Sequence, residues 1–85
     1  MTKIRPDMAI GQTIRGIRKS LGMTQDFVVT KMQLMGIPIT RSNYAKIETN
    51  RLNIKVSELL ALTFIFHVTL DDIFRDCLNE MRQTL

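Results

Sequence analysis

Tryptophan is absent from this chain, and cysteine, histidine and tyrosine occur once each. A single cysteine, Cys77, closes no intrachain disulfide, so nothing points to an oxidising compartment. Cys77 reads as a small apolar filler. Nothing near His67 in sequence completes a metal site, and it reads as a linker residue. Four glycines and two prolines are too few for a disordered chain or a turn-rich β fold. The longest apolar run, Leu59 to Phe66, is far short of the roughly 20 residues that a membrane-spanning helix needs. No apolar signal core follows Met1, so a cytoplasmic protein is expected. A Ser/His/Asp set, a carboxylate pair and a phosphate loop are all missing, which leaves no support for an enzyme, a metal or a cofactor. No ligand domain or small-molecule effector is expected either.

What is present is one domain's worth of chain, 85 residues with 45% apolar content, enough for a small independent core. The formal charge of +4 is unevenly spread. Residues 1–55 hold ten Lys and Arg against Asp7, Asp26 and Glu48, a net of +7; residues 56–85 hold Arg75 and Arg82 against five acids, a net of −3. Such a split is expected when one surface meets a polyanion and another does not.

Hydrophobic spacing predicts five helices and no strand, an all-α bundle. Residues 1–6 read as a basic arm, residues 7–74 as the main domain and residues 75–85 as a helical extension. Asp7 is the expected N-cap of a first helix ending before Gly22, with Ile10, Ile14, Ile17 and Leu21 as its apolar stripe. Thr24 caps a second helix that ends at Gly36, and Thr40 caps a third that ends at Asn50. A fourth helix over about 55–66 is apolar nearly all round and is expected to lie centrally. Thr69 and Asp72 form a capping-box-like start to a fifth. The methionines read as core packing.

The stretch Thr40-Arg-Ser-Asn-Tyr-Ala-Lys-Ile-Glu48 has two faces as a helix. Tyr44, Ile47, Thr40 and Glu48 fall on one side, which holds the anchors for a core. Ser42, Ala45, Lys46 and Thr49 fall on the other, flanked by Arg41. The second face is small, polar and cationic, suited to the major groove of DNA. Arg41 is chemically able to make two parallel hydrogen bonds to guanine, and Lys46 to reach a base or a phosphate. Gln25 and Asn43 are uncharged donors suited to phosphate, aided by the free N–H groups at Thr24–Phe27. Lys3, Arg5, Arg15, Lys19 and Arg51 supply attraction that does not depend on sequence.

Leu21-Gly-Met-Thr-Gln25, the stretch 40–48, Asn50-Arg51, Leu59-Leu-Ala-Leu62 and His67-Val-Thr-Leu-Asp-Asp-Ile-Phe74 occur in that order. Together they resemble the helix-turn-helix domains of the phage repressor/Cro, or xenobiotic-response-element, family of transcriptional regulators. The resemblance covers about residues 9–74. It implies a five-helix repressor-like domain and base contacts from Arg41, Ser42 and Lys46. It implies phosphate contacts from Gln25 and Arg51, and a buried pair between Arg18 and Glu48. The chain departs from the family pattern between Gln25 and Thr40, which holds about five extra residues around Gln33-Leu-Met-Gly-Ile37. The second helix is expected to absorb part of this length. Tyr44 stands where the family usually has an aliphatic residue, and its hydroxyl is expected at the rim of the core or on a phosphate.

The leading expectation is therefore a sequence-specific double-stranded DNA-binding regulator, a repressor acting by occupying a promoter. The alternative is an antitoxin or other protein-interaction module whose DNA binding is secondary. Phe74, Cys77, Leu78 and Met81 continue an apolar stripe beyond the family's usual end. This stripe either packs back on its own domain or joins a second subunit. The second option is favoured, because a two-fold homodimer would place two copies of the third helix on a palindromic operator.

Overall fold

The computed structural model describes residues 6–83. The expected basic arm, with Lys3 and Arg5, lies outside the described residues apart from Pro6. Five α-helices follow one another: α1 (Pro6–Ser20), α2 (Gln25–Leu34), α3 (Arg41–Glu48), α4 (Val56–Phe66) and α5 (Leu70–Gln83). No strand occurs among the described residues. None of the helices is long and apolar enough to cross a membrane. The first helix begins at Pro6 rather than after Asp7. Proline's fixed φ and missing N–H suit a first helical position, so Asp7 lies inside the helix and not at its cap.

The helix starts follow the expected caps. Thr24 Oγ1 accepts the Phe27 N–H at 3.0 Å, and Thr40 Oγ1 accepts the Asn43 N–H at 3.1 Å. Thr69 and Asp72 bond reciprocally, each backbone N–H to the other's side chain, at 3.0 and 3.1 Å. The helix ends share one device. Gly22, Gly36, Asn50 and His67 all take positive φ. In each case the next N–H reaches back five residues to a carbonyl of the last turn: Met23 to Arg18, Ile37 to Met32, Arg51 to Lys46 and Val68 to Thr63. The linker role of His67 is thus a left-handed helix stop.

The extra residues between Gln25 and Thr40 are accommodated without disorder. The second helix runs to Leu34, and the rest of the length forms a turn pinned at both ends. Ile39 is buried in the core, and the Gln33 Nε2 donates to the Ile39 carbonyl at 2.8 Å. This clamp was not foreseen from the sequence.

Ile14, Val28, Met32, Tyr44, Leu62, Phe66 and Ile73 are fully buried and join all five helices in one core. Several expectations need correction. Leu21 is exposed, because the helix stops at Ser20 and the reversing turn carries it outward. Helix α4 is buried on one side only; Val56, Leu60 and Phe64 face outward. Met32 is in the core and Met23 packs against it, but Met35 and Met81 are about half exposed. The Tyr44 hydroxyl reaches neither rim nor phosphate: the whole side chain is buried. The boundary at residue 74 falls within the continuous helix α5. That helix lies along α1, joined to it by Thr13 Oγ1 donating to Asp76 at 3.0 Å. Cys77, counted with the candidate dimer face, is turned into the core, whereas Leu78 and Met81 stay exposed.

Helices α1 and α3 come close at Gly11. Its N–H donates to Asn50 Oδ1 at 3.1 Å, and a Cβ there would collide with that oxygen and with the Ile47 carbonyl. Gly16, in the same helix, faces open space. Gly11→Ala is therefore expected to cost about 1–3 kcal/mol in urea denaturation. Gly16→Ala is expected to be neutral or to stabilise by up to about 1 kcal/mol. The Tyr44 hydroxyl is the one buried side-chain polar atom among the described residues that completes no hydrogen bond. Burial pushes its titration well above the ordinary tyrosine range. The hydroxyl lies against the Arg18–Glu48 pair, so Tyr44→Phe trades its desolvation cost for that contact and should change stability by less than about 1 kcal/mol in the same assay.

Candidate functional site

The site grows from a pair of charges between α1 and α3. Arg18 grips Glu48 with two hydrogen bonds, Nε to Oε2 at 2.7 Å and Nη2 to Oε1 at 3.0 Å. Side-chain exposure is 9% for Arg18 and 1% for Glu48, so this pair works largely out of water. Its remaining Nη1 donates to the Met23 carbonyl at 2.8 Å, which also ties down the α1–α2 turn. The ion pair that the resemblance implied is therefore present, in keeping with the inward angle of Glu48 on the α3 wheel. The bond to Glu48 raises the Arg18 pKa further. Burial disfavours charge on Glu48, but Arg18, the neighbouring Tyr44 hydroxyl and the Gln25 amide together outweigh it. They hold its carboxyl below the ordinary value.

From Glu48 the network runs outward. Gln25 Nε2 donates to Glu48 Oε1 at 2.9 Å, and Gln25 Oε1 accepts from Arg41 Nε at 2.9 Å. Arg41 Nη1 also bonds Asp26 Oδ1 at 2.7 Å. Gln25 thus links the buried pair to Arg41, the first residue of α3. Gln25 sits at the first position of α2, where its side chain spans the gap to α3. One of its two amide protons remains for an outside acceptor. Asp26 as the partner of Arg41 was missed in the sequence. The available signal was an acid in the first turn of α2, which alone reads as an ordinary complement to the helix dipole.

Arg41, Ser42, Asn43 and Lys46 are exposed, Ala45 is half-buried, and Tyr44, Ile47 and Glu48 are buried. The two-faced reading of α3 therefore matches the burial except at Thr40, which is exposed because it is the N-cap and precedes the first helical residue. At the far end of the helix, Thr49 Oγ1 donates back to the Ala45 and Lys46 carbonyls. It also accepts from Arg51 Nε at 3.2 Å, which steadies that cation. Thr24 is exposed beside the N-terminus of α2, with its hydroxyl oxygen committed to the cap. Gln12, Arg15, Lys19, Thr49 and Asn50 line a cleft between α1 and the last turn of α3. The cations of α1 thus extend the polar face beyond the helix that carries it.

Chemically, the arrangement is a set of amide, guanidinium and ammonium donors on the exposed side of α3, tied at its base to a buried ion pair. Removing one member of the inner pair strands the other. Arg18→Ala is expected to cost about 3–5 kcal/mol, and Arg18→Met with Glu48→Leu to recover most of it, as read by chemical denaturation. The pH dependence follows from the lowered Glu48 value. The unfolded carboxyl takes up its proton first as pH falls, so the stabilisation is complete above about 4.5 and drains away below it. The double variant should lack that component.

A comparison of the chain with models of protein families, with curated proteins and with solved structures found no match to any of them.

Proposed function

We propose that the chain is a sequence-specific double-stranded DNA-binding regulator of the repressor-like helix-turn-helix kind, with α2 and α3 as the motif and α3 lying in the major groove. One observation carries this reading. The only acid on α3, Glu48, is turned inward and held by Arg18, so the outward face offers only neutral and cationic groups. A solvated helix face of a small protein usually mixes both signs.

On this reading Arg41 and Ser42 meet base edges, and Lys46 meets a base or an adjoining phosphate. Gln25 offers its spare amide proton to a phosphate, alongside the free N–H groups at the start of α2. Asn43, Thr24 and Arg51 contact the backbone, and Arg15 and Lys19 add attraction at the α1 edge. Arg41 arrives already braced by Gln25 and Asp26, so less rotamer freedom is lost on binding. Two copies on a palindromic operator would present two such helices one DNA turn apart, and occupancy of a promoter would repress it.

Selection of bound sequences from a random duplex pool, followed by salt titration, tests the proposal. A defined motif should be enriched. Arg41→Ala should relax one position at a cost of about 1–3 kcal/mol. Arg51→Ala should weaken all sequences alike and lower the salt slope by about 1. Absence of any motif, with the Arg41→Ala/Lys46→Ala double variant binding like the wild type, would overturn it.

A further inference from the structure

We infer that Asp26 is a specificity-determining residue. Its carboxylate positions Arg41 and repels phosphate, so that binding is strong only where a guanine takes up the rest of the Arg41 fork. This role rests on the DNA-binding reading of α3.

Asp26 is out of place by charge. From residue 8 to residue 57 the chain carries eight Lys and Arg but two acids, Asp26 and Glu48. Glu48 is buried in its pair with Arg18. Asp26 alone in this stretch offers a carboxylate to solvent, with its side chain 75% exposed. It does so in the first turn of α2, beside Gln25 and the free N–H groups assigned above to a phosphate. A negative charge there weakens every phosphate contact nearby, whatever the DNA sequence. The dipole of α2 accounts for an acid at this position. It does not account for the aim of the side chain, which crosses to the neighbouring helix, where Arg41 Nη1 donates to Asp26 Oδ1 at 2.7 Å.

The geometry of this bond decides what Arg41 can still do. A guanidinium has five N–H donors in a fixed plane. Gln25 Oε1 takes the one on Nε, and Asp26 takes one on Nη1. Each terminal nitrogen thus keeps at least one N–H, and two such donors are what guanine O6 and N7 accept. Because the two held donors sit on different nitrogens, the fork turns toward the DNA backbone only by breaking one of those bonds. Arg41 therefore loses little by meeting guanine where it stands, and loses its Asp26 bond by turning to a phosphate. Specificity is a difference of two affinities, and a group that penalises the wrong contact raises it as well as one that rewards the right contact. Asp26 serves both ends, holding the fork for guanine and repelling phosphate.

Three kinds of duplex test the role: the one that the wild type selects from a random pool, its variants at the base pair that Arg41→Ala relaxes, and an unrelated one. Asp26→Ala should bind the unrelated duplex at least about threefold more tightly than the wild type does. Its preference for the selected base pair over the other three should fall at least about fivefold. Asp26→Asn removes the charge and keeps an acceptor oxygen. It should tighten unrelated binding alike but retain part of the preference. In an Arg41→Ala background, Asp26→Ala should leave the preference at that base pair unchanged. Preference is a ratio read on one protein sample, so a partly unfolded variant does not distort it. An Asp26→Ala protein with the wild-type preference overturns the inference and leaves the DNA-binding reading standing. So does a selected motif that Arg41→Ala relaxes at no position. A wild type that selects no sequence overturns both.

Discussion

Two charges meet inside this small protein at a point where almost no water reaches them, and the arrangement of three helices depends on their meeting. Arg18 of α1 and Glu48 of α3 satisfy one another with two hydrogen bonds. Burying either charge alone would cost several kcal/mol, so the fold tolerates them only as a pair. The geometry of the pair then fixes its surroundings. The third arm of the guanidinium holds the turn before α2, and the second carboxylate oxygen takes the Gln25 amide as well. Gln25 in turn braces Arg41 at the tip of α3. An ion pair that adds little net stability thus ties α1, the turn before α2 and α3 together.

The consequence is a short helix displayed with unusual definition. Eight residues form too short a helix to be stable alone in water. Its N-terminus is capped by Thr40, and its C-terminus is stopped by Asn50, whose side chain also accepts the Gly11 N–H of α1. Tyr44 and Ile47 anchor it in the core. Between these restraints the outward side chains stand free of acidic neighbours on the same helix. The extra length before Pro38 does not loosen this display, because Ile39 is buried and Gln33 holds its carbonyl.

Helix type, order and ends were largely legible in the chain. Thr24, Thr40 and the Thr69/Asp72 pair act locally, within one turn of the groups they bond, so their effect survives any tertiary context. The same holds for Gly22, Gly36 and Asn50, whose positive φ is a property of the residue more than of its surroundings. The Arg18–Glu48 pair was legible through the resemblance, and the position of Glu48 on the buried side of a helix, where an acid needs a cation, agreed with it. Misreadings cluster where burial is decided by neighbours. Leu21 fits an apolar stripe, but the turn takes it outward. The fourth helix is apolar on every side, yet only one side found a partner within the domain.

By itself, then, the sequence determined five helices, their boundaries to within a residue or two, the inward side of α3 and the charge it had to bury. These features depend on periodicity, capping and φ preference, which act over a few residues. Only the tertiary structure decided that Arg41 is shared between Gln25 and Asp26, since residues 15 and 16 positions apart meet through the packing of α2 on α3. It likewise decided that the Tyr44 hydroxyl is sealed in, that Cys77 faces the core and that Val56, Leu60 and Phe64 do not. Burial is set by which surfaces meet, and that depends on the whole chain at once.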